Sequence, residues 1–394
     1  MRKINRYTEN TGRFLGGALL LGITLSASAQ EVELDFYGHI MLDAIYDFDR
    51  VNPDWNDTLR PSQIPVNCPG DAGCGSDGEL IFGVRQTRYG VNASVPTDIG
   101  VIKTKLEFEL FGVGTDAGKI TPRLRHAWAE INQFGFGQTN SVFMDGDVFP
   151  NSIDYWGPSG MMFFRNIQAR WTPVSTESQR IAIALESPSA GIDSGKVSEV
   201  APALDVRSKE ELPDLTAHWR IQREWGHFQA AGILRQVAFE ATDDVTGEAF
   251  SGEEFGYGVN LSGTLNTVGR DRLRWQVAVG EGIGNYLNDG GIDLAPDEQL
   301  RATTVPVIGW LLFYDRWWND RWSSSIGWSG VDMDNTRGQD DDAFDTLDYG
   351  LVNLLHYPAD NITVGAELIH GALSLNDSAD GTDTRVQFSF KFNF

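Results

Sequence analysis

The chain closes with RVQFSFKFNF, residues 385–394. Val386, Phe388, Phe390, Phe392 and Phe394 hold one parity, and Arg385, Gln387, Ser389, Lys391 and Asn393 hold the other. An unbroken period of two marks a β-strand with one apolar and one polar face. What that apolar face meets decides the fold. It meets either the second layer of a soluble sandwich or the hydrocarbon of a bilayer.

The same alternation recurs along the chain, at about the 9–11 residues that a tilted membrane strand needs. In VIKTKLEFELF (101–111), Lys103, Lys105, Glu107 and Glu109 share one face, and Ile102, Thr104, Leu106, Phe108 and Leu110 the other. LTAHWRIQ (215–222) and RLRWQVAVG (272–280) alternate in the same way. Soluble sandwiches alternate too, but seldom over such lengths or so often. Short connectors near 96–100, 133–135, 224–226 and 316–320 take turns with longer acidic ones near 50–79, 188–210, 240–253, 284–298, 333–345 and 372–383. Alternation of short turns with long loops is the asymmetry of an outer-membrane barrel. The expected fold is all-β, a transmembrane antiparallel β-barrel of roughly 16 strands, with 14 and 18 as even neighbours. The last strand then pairs with the first, 34–48, because closure removes sheet edges and satisfies the backbone within lipid. Trp317, Trp318, Trp322, Tyr37, Tyr314 and Tyr357 are expected in aromatic girdles at the strand ends. Packing beneath loops is the alternative for those rings.

Export is consistent with this reading. Arg2, Lys3, Arg6 and Arg13 precede the apolar stretch 14–25, and Ala27-Ser28-Ala29 fits a small-residue cleavage site. Residues 1–29 are therefore expected to be a signal peptide and 30–394 the barrel domain. No later stretch reaches the ~18 consecutive apolar residues of a membrane helix. The two cysteines, Cys68 and Cys74, lie in a Pro/Gly-rich loop, where a disulfide is expected in an oxidising compartment. Two cysteines without histidine neighbours make only half a metal site. A formal charge of −24 argues against nucleic acid as a partner. No HExxH or GxSxG motif occurs, so neither enzymatic activity nor a cofactor is expected.

The widest break in strand rhythm is NSVFMDGDVFPNSIDYWGPSGMMFFRN, about 140–166. It is too apolar for an outer loop, and Pro150, Gly157, Pro158 and Gly160 prevent a strand. It is expected to fold inward as a constriction loop, with Asp145, Asp147, Asp154, Tyr155 and Trp156 near the eyelet; a rim or subunit contact is the competing role. Opposite it, parity turns Arg88, Arg123, Arg125, Arg170, Arg220, Arg272 and Arg274 toward the lumen, since an arginine facing lipid costs ~2–4 kcal/mol at midplane. Arg85 and Arg165 break the parity of Arg88 and Arg170, so one of each pair must sit in a loop or at a bulge. Guanidinium groups in a passage bind carboxylate or phosphate through paired donors. Each could instead be a strut to Glu107, Glu109 or Glu186.

GVRQTRYGVNASVPTDIG (83–100), the segment 103–161 with its TPRLRHAW and DYWGPSGM motifs, and the terminal phenylalanine resemble the DcaP-like porins of Gram-negative outer membranes. The resemblance is strongest over 83–172. It implies a 16-stranded trimeric barrel that passes small anions such as dicarboxylates, with Arg123 and Arg125 in the basic wall of the constriction and Arg88, Arg165 and Arg170 as further candidates. Some relatives carry an N-terminal coiled coil, which is not expected here. The expected partners are outer-membrane lipid, small anionic solutes and two further copies of the chain. A non-transporting structural or surface-recognition barrel is the alternative, and an outer-membrane hydrolase with a Ser-His pair a more distant one.

Overall fold

The computed structural model describes residues 32–50, 52–66, 78–243 and 245–394. The expected signal peptide and the Cys68–Cys74 pair lie outside them. The strands are β1 (Glu33–Asp47), β2 (Glu79–Gly83), β3 (Arg88–Thr97), β4 (Gly100–Phe111), β5 (Ile120–Ile131), β6 (Phe134–Asn140), β7 (Arg165–Ser175), β8 (Gln179–Glu186), β9 (Leu204–Lys209), β10 (Asp214–Arg223), β11 (Gly226–Asp243), β12 (Ala249–Asn266), β13 (Arg272–Glu281), β14 (Pro306–Asn319), β15 (Trp322–Met333), β16 (Phe344–Ala359), β17 (Ile362–Leu375) and β18 (Asp380–Asn393). β2 and β3 are two parts of one stave, both paired with β1. β9 and β10 likewise share β11. The sheet is thus a closed antiparallel barrel of sixteen staves.

Closure runs through the terminal segment. β1 pairs with β18 from His39↔Asn393 to Asp47↔Arg385. Phe388, Phe390, Phe392 and Phe394 stay 55, 46, 37 and 56% exposed on the outer wall, whereas Arg385, Gln387 and Ser389 are buried inside. Those rings face lipid. Exposed Leu34, Phe36, Ile40 and Leu42 continue the apolar band on β1.

Both parity conflicts resolve locally. Arg85 sits in the turn between β2 and β3, closed by Thr87 N–H donating to the Val84 carbonyl, and donates to Asp57 and the Gly112 carbonyl. Arg165 opens β7 where the chain leaves the inward loop, while Asn166 and Gln168 are buried on the lumen side. Between β4 and β5 the register shifts at Glu107/Phe108. That bulge turns two successive residues inward, Arg125 and His126, both buried.

Two expectations need correction. The acidic stretches 240–253 and 372–383 are mostly strand, not loop: β11 meets β12, and β17 meets β18, through tight turns. Acidic residues fit there because these hairpins extend to the barrel end, where polar groups are solvated. Of the expected girdle, Trp318 and Trp322 are exposed, but Tyr37 points inward to donate to Glu107, and Trp317 stacks on Tyr357 beside the lumen. The lumen is also not uniformly polar. Leu311 and Phe313 (β14), Tyr349 and Leu351 (β16) and Ile369 (β17) pack inward against Leu59, Val148 and Met161. A second cluster sets Ile233 (β11), Ala278 (β13) and Val307 (β14) against Phe143, Met144, Met162 and Tyr286. Inserted loops fill much of the side of the barrel bounded by β11–β17, and the larger open space lies against β1–β6.

Candidate pore constriction

After β6 the chain turns into the barrel and returns at β7, so residues 141–164 cross the lumen. Polar groups on many staves hold it there. The Asp145 carboxylate accepts from Ser262 (2.8 Å) and Arg220 (3.1 Å) and lies 2.7 Å from His227 Nε2. Glu367 accepts from Ser152 Oγ, Ile153 N–H and Asp154 N–H. The Ile153 carbonyl accepts from Gln86 and Gln387, and Gly160 is held by Ser329 and Gln276. Gly157 has φ +77°, and a Cβ there would lie 2.4 Å from the Phe149 ring, so only glycine fits this bend.

Between the loop and the β1–β6 wall runs a cavity of about 960 Å³. Trp55, Arg60 and Asn288 line its mouth at the long-loop end, and Tyr357, Thr363 and Lys391 its other end. Among the described residues, seven lysines and arginines line it, namely Arg60, Arg88, Lys105, Arg123, Arg125, Arg165 and Lys391, against the acids Glu107 and Asp154. Four arginines gather around Glu107 and Glu109. Arg125 donates to both carboxylates, at 2.7 and 2.6 Å. Arg123 donates to Glu109, Arg88 reaches Glu109 at 3.3 Å, and Lys105 reaches Glu107 at 3.4 Å. Arg165 faces Phe163 at 5.3 Å, and its Nη1 is buried with no hydrogen-bond partner among the described residues. Five cations therefore surround two carboxylates. The struts weighed in the sequence do exist, but they leave positive charge in excess.

Tyr155 connects loop and wall. Its ring stacks on Phe111 at 3.7 Å, and its hydroxyl bridges Arg123 and Glu109. Burial, reinforced by the Glu109 carboxylate, pushes that hydroxyl up to about 12, so it remains a neutral donor at ordinary pH. Trp156 donates to the Asn288 carbonyl, and it meets Trp55 edge to face at 5.0 Å, with the Arg60 guanidinium lying 4.2 and 4.3 Å from the two rings.

Arg88, Arg123, Arg125 and Arg165 thus converge. Arg170 turns instead to Gln168, the Asn140 carbonyl and the face of Trp128. Arg220 is committed to Asp145 and Asp147. Asp145, Asp147 and His227 offer ligand atoms within 4.8 Å of one another, but Arg220 already supplies the cation between the two carboxylates. Arg274 donates to Asp315 and the Asp147 carbonyl, and Arg272 lies exposed toward the short-turn end. Asp145 and Asp154 anchor the loop rather than present carboxylates to the eyelet: Asp154 accepts from Thr58, Gly157 and Tyr349. Arg60 escaped the sequence reading, because it lies in a loop with no strand period to assign it a face.

A closed sixteen-stave barrel narrowed by an inward loop defines an outer-membrane barrel of the porin type. The chain belongs to the DcaP outer membrane protein family, whose pattern matches residues 23–224. Its structure is similar to that of the outer membrane channel DcaP of Acinetobacter baumannii, with TM-score 0.75 and 18% identity over 93% of this chain and 99% of that one. It is also similar to an anion-selective porin from Comamonas acidovorans, with TM-score 0.55 and 10% identity over 92% of this chain and 100% of that one. A trimer form of OmpT from Vibrio cholerae gives TM-score 0.53 and 12% identity over 92% and 99%. At these identities the likeness concerns the fold alone. No curated protein matches the sequence.

Proposed function

We propose that the protein is a passive, anion-preferring porin that lets small hydrophilic anions such as dicarboxylates cross the outer membrane. It works as a homotrimer embedded in outer-membrane lipid, after removal of residues 1–29. The observation that carries this reading is the charge of the lining: among the described residues, seven lysines and arginines against Glu107 and Asp154, a majority that remains when Glu109 and Asp289 behind them are added. Rings of basic side chains favour anions, and conduction requires binding tight enough to admit the solute yet loose enough to release it. Pairing with Glu107 and Glu109 keeps the arginines extended and in place. The excess charge then acts on the passing ion. The long loops would face outward and the short turns the periplasm.

The test is the zero-current potential of the purified protein in a planar bilayer across a potassium chloride gradient. A potential of the sign set by chloride supports the reading, and one set by potassium overturns it. Succinate should reduce the current, and Arg123→Ala/Arg125→Ala should weaken that block.

A further inference from the structure

A second cavity, of about 530 Å³, lies under the constriction loop on the other side of Pro150 and Asn151, which line both spaces. Its walls carry Arg270, Arg272, Arg274 and Trp317. Arg270 follows the β12 strand end and Arg272 begins β13, so the cavity opens at the short-turn end. Farther along the same strand, Leu311 and Phe313 are buried under Val148 and Met161. It is a basin under the loop, distinct from the larger cavity. Trp317 stacks at 5.2 Å on Tyr357, a residue of the main cavity, so the basin lies beside the exit of the pore.

Its charge is unbalanced. Arg274 is held by Asp315 at 2.5 Å. Arg270 lies over the Trp317 ring at 3.6 Å and meets Asp320 only at 3.8 Å, where both side chains are largely exposed. Such a pair contributes little. Arg272 makes no hydrogen bond or ion pair with any described residue, and faces Asp315 across the ladder. Three guanidiniums thus share one well-placed carboxylate. The volume falls within the ~300–1,000 Å³ typical of small-molecule sites. Guanidinium forks bind oxyanions in pairs of bonds, and several around one basin favour a ligand with more than one charged group.

We propose that this basin is a second anion site on the periplasmic face, taking a small oxyanion with two or more phosphate or carboxylate groups and acting on the pore from that side only. It stands apart from the constriction, so its binding can be read whether or not the barrel prefers anions. Equilibrium dialysis of the purified protein against labelled pyrophosphate, and separately citrate, measures occupancy per chain. Arg270→Gln/Arg272→Gln should bind one fewer equivalent, and Arg272→Gln alone should weaken that equivalent roughly tenfold, as expected for loss of charge-assisted bonds. In bilayers, pyrophosphate added at the short-turn face should reduce current at about tenfold lower concentration than at the opposite face, and the double variant should abolish the difference. Loss with pyrophosphate alone would assign the site to phosphates, and loss with citrate alone to carboxylates. Unchanged occupancy in both variants, or equal block from both faces, would overturn the proposal. Both arginines are solvent-accessible and outside the buried clusters, so a heat-modifiable barrel band in gels verifies that the variants fold.

Discussion

Replacing Glu367 by Ala removes the wall carboxylate that holds residues 152–154 of the loop. Its Oε1 accepts from Ser152 Oγ at 2.8 Å and Asp154 N–H at 3.0 Å, and its Oε2 from Ile153 N–H at 3.2 Å and Asn353 Nδ2 at 2.7 Å. Three of these four donors belong to the loop. A net hydrogen bond contributes ~0.5–3 kcal/mol, the upper end for a charged acceptor, so the gross loss over three is roughly 1.5–9 kcal/mol. Ser152 borders the main cavity, so water can enter the vacated space and satisfy much of that demand. A net cost of about 3 kcal/mol remains, close to a hundredfold in the local opening equilibrium. Hydrogen exchange at the Ile153 and Asp154 amides should accelerate by about that factor. The Met162 amide, held by Gln276 on β13, should keep its protection. Open-channel current should gain noise on the microsecond-to-millisecond scale of loop motion. An acceleration below threefold, or an equal one at Met162, would refute the view that this carboxylate pins the tip independently of the rest of the loop.

Arg165→Gln removes the cation whose Nη1 lacks a partner among the described residues. At roughly 5 Å from the ion path and ~0.1 M salt it contributes about 0.5 kcal/mol for each ion sign, so the anion-to-cation permeability ratio should fall several-fold, and an unchanged zero-current potential would refute its role. Gly135→Ala would set a Cβ 2.1 Å from the Trp128 ring; overpacking of this kind costs ~1–3 kcal/mol, visible as a lower temperature of the heat-induced gel shift. Phe390→Lys puts a charge on the lipid face, where ~2–4 kcal/mol is the cost at midplane; unchanged urea resistance in lipid vesicles would contradict the lipid-facing assignment.

The barrel was legible because its cause is local. Phe388, Phe390 and Phe392 must all lie on one face of a strand, whatever the rest of the chain does. The loop showed through equally local signs, an apolar run broken by Pro150, Gly157 and Pro158. Where a residue's role depends on distant partners, the sequence was silent or misleading. Asp154 reads as a pore carboxylate until Tyr349 and Thr58 are seen to take its oxygens. Trp317 and Tyr357 read as girdle residues, yet they turn inward, on the same parity as the buried Phe313 and Asp315 of β14 and Asn353 and Leu355 of β16. The acid-bearing end of β11 and start of β18 read as loops because composition reports solvation, and a strand beyond the bilayer is as solvated as a loop.

The apolar lumen explains where the pore runs. Inward side chains such as Phe313, Leu351 and Ile369 would be unfavourable in a passage filled with water. They are tolerated because Val148, Met161 and Leu59 cover them. Wall and loop therefore specify each other: apolar inward positions on β11–β17 require the loop on that side, and an apolar loop requires that wall. β3, β4 and β5 present Arg88, Glu107, Glu109, Arg123 and Arg125 instead, which no apolar segment can cover without leaving charges buried and unpaired. The passage is then the part of the lumen that the chain cannot fill, and its basic lining follows from the same division. Shortening the loop would not simply widen this pore. It would expose the apolar staves, at a cost that grows with the area uncovered, ~25 cal/mol per Å².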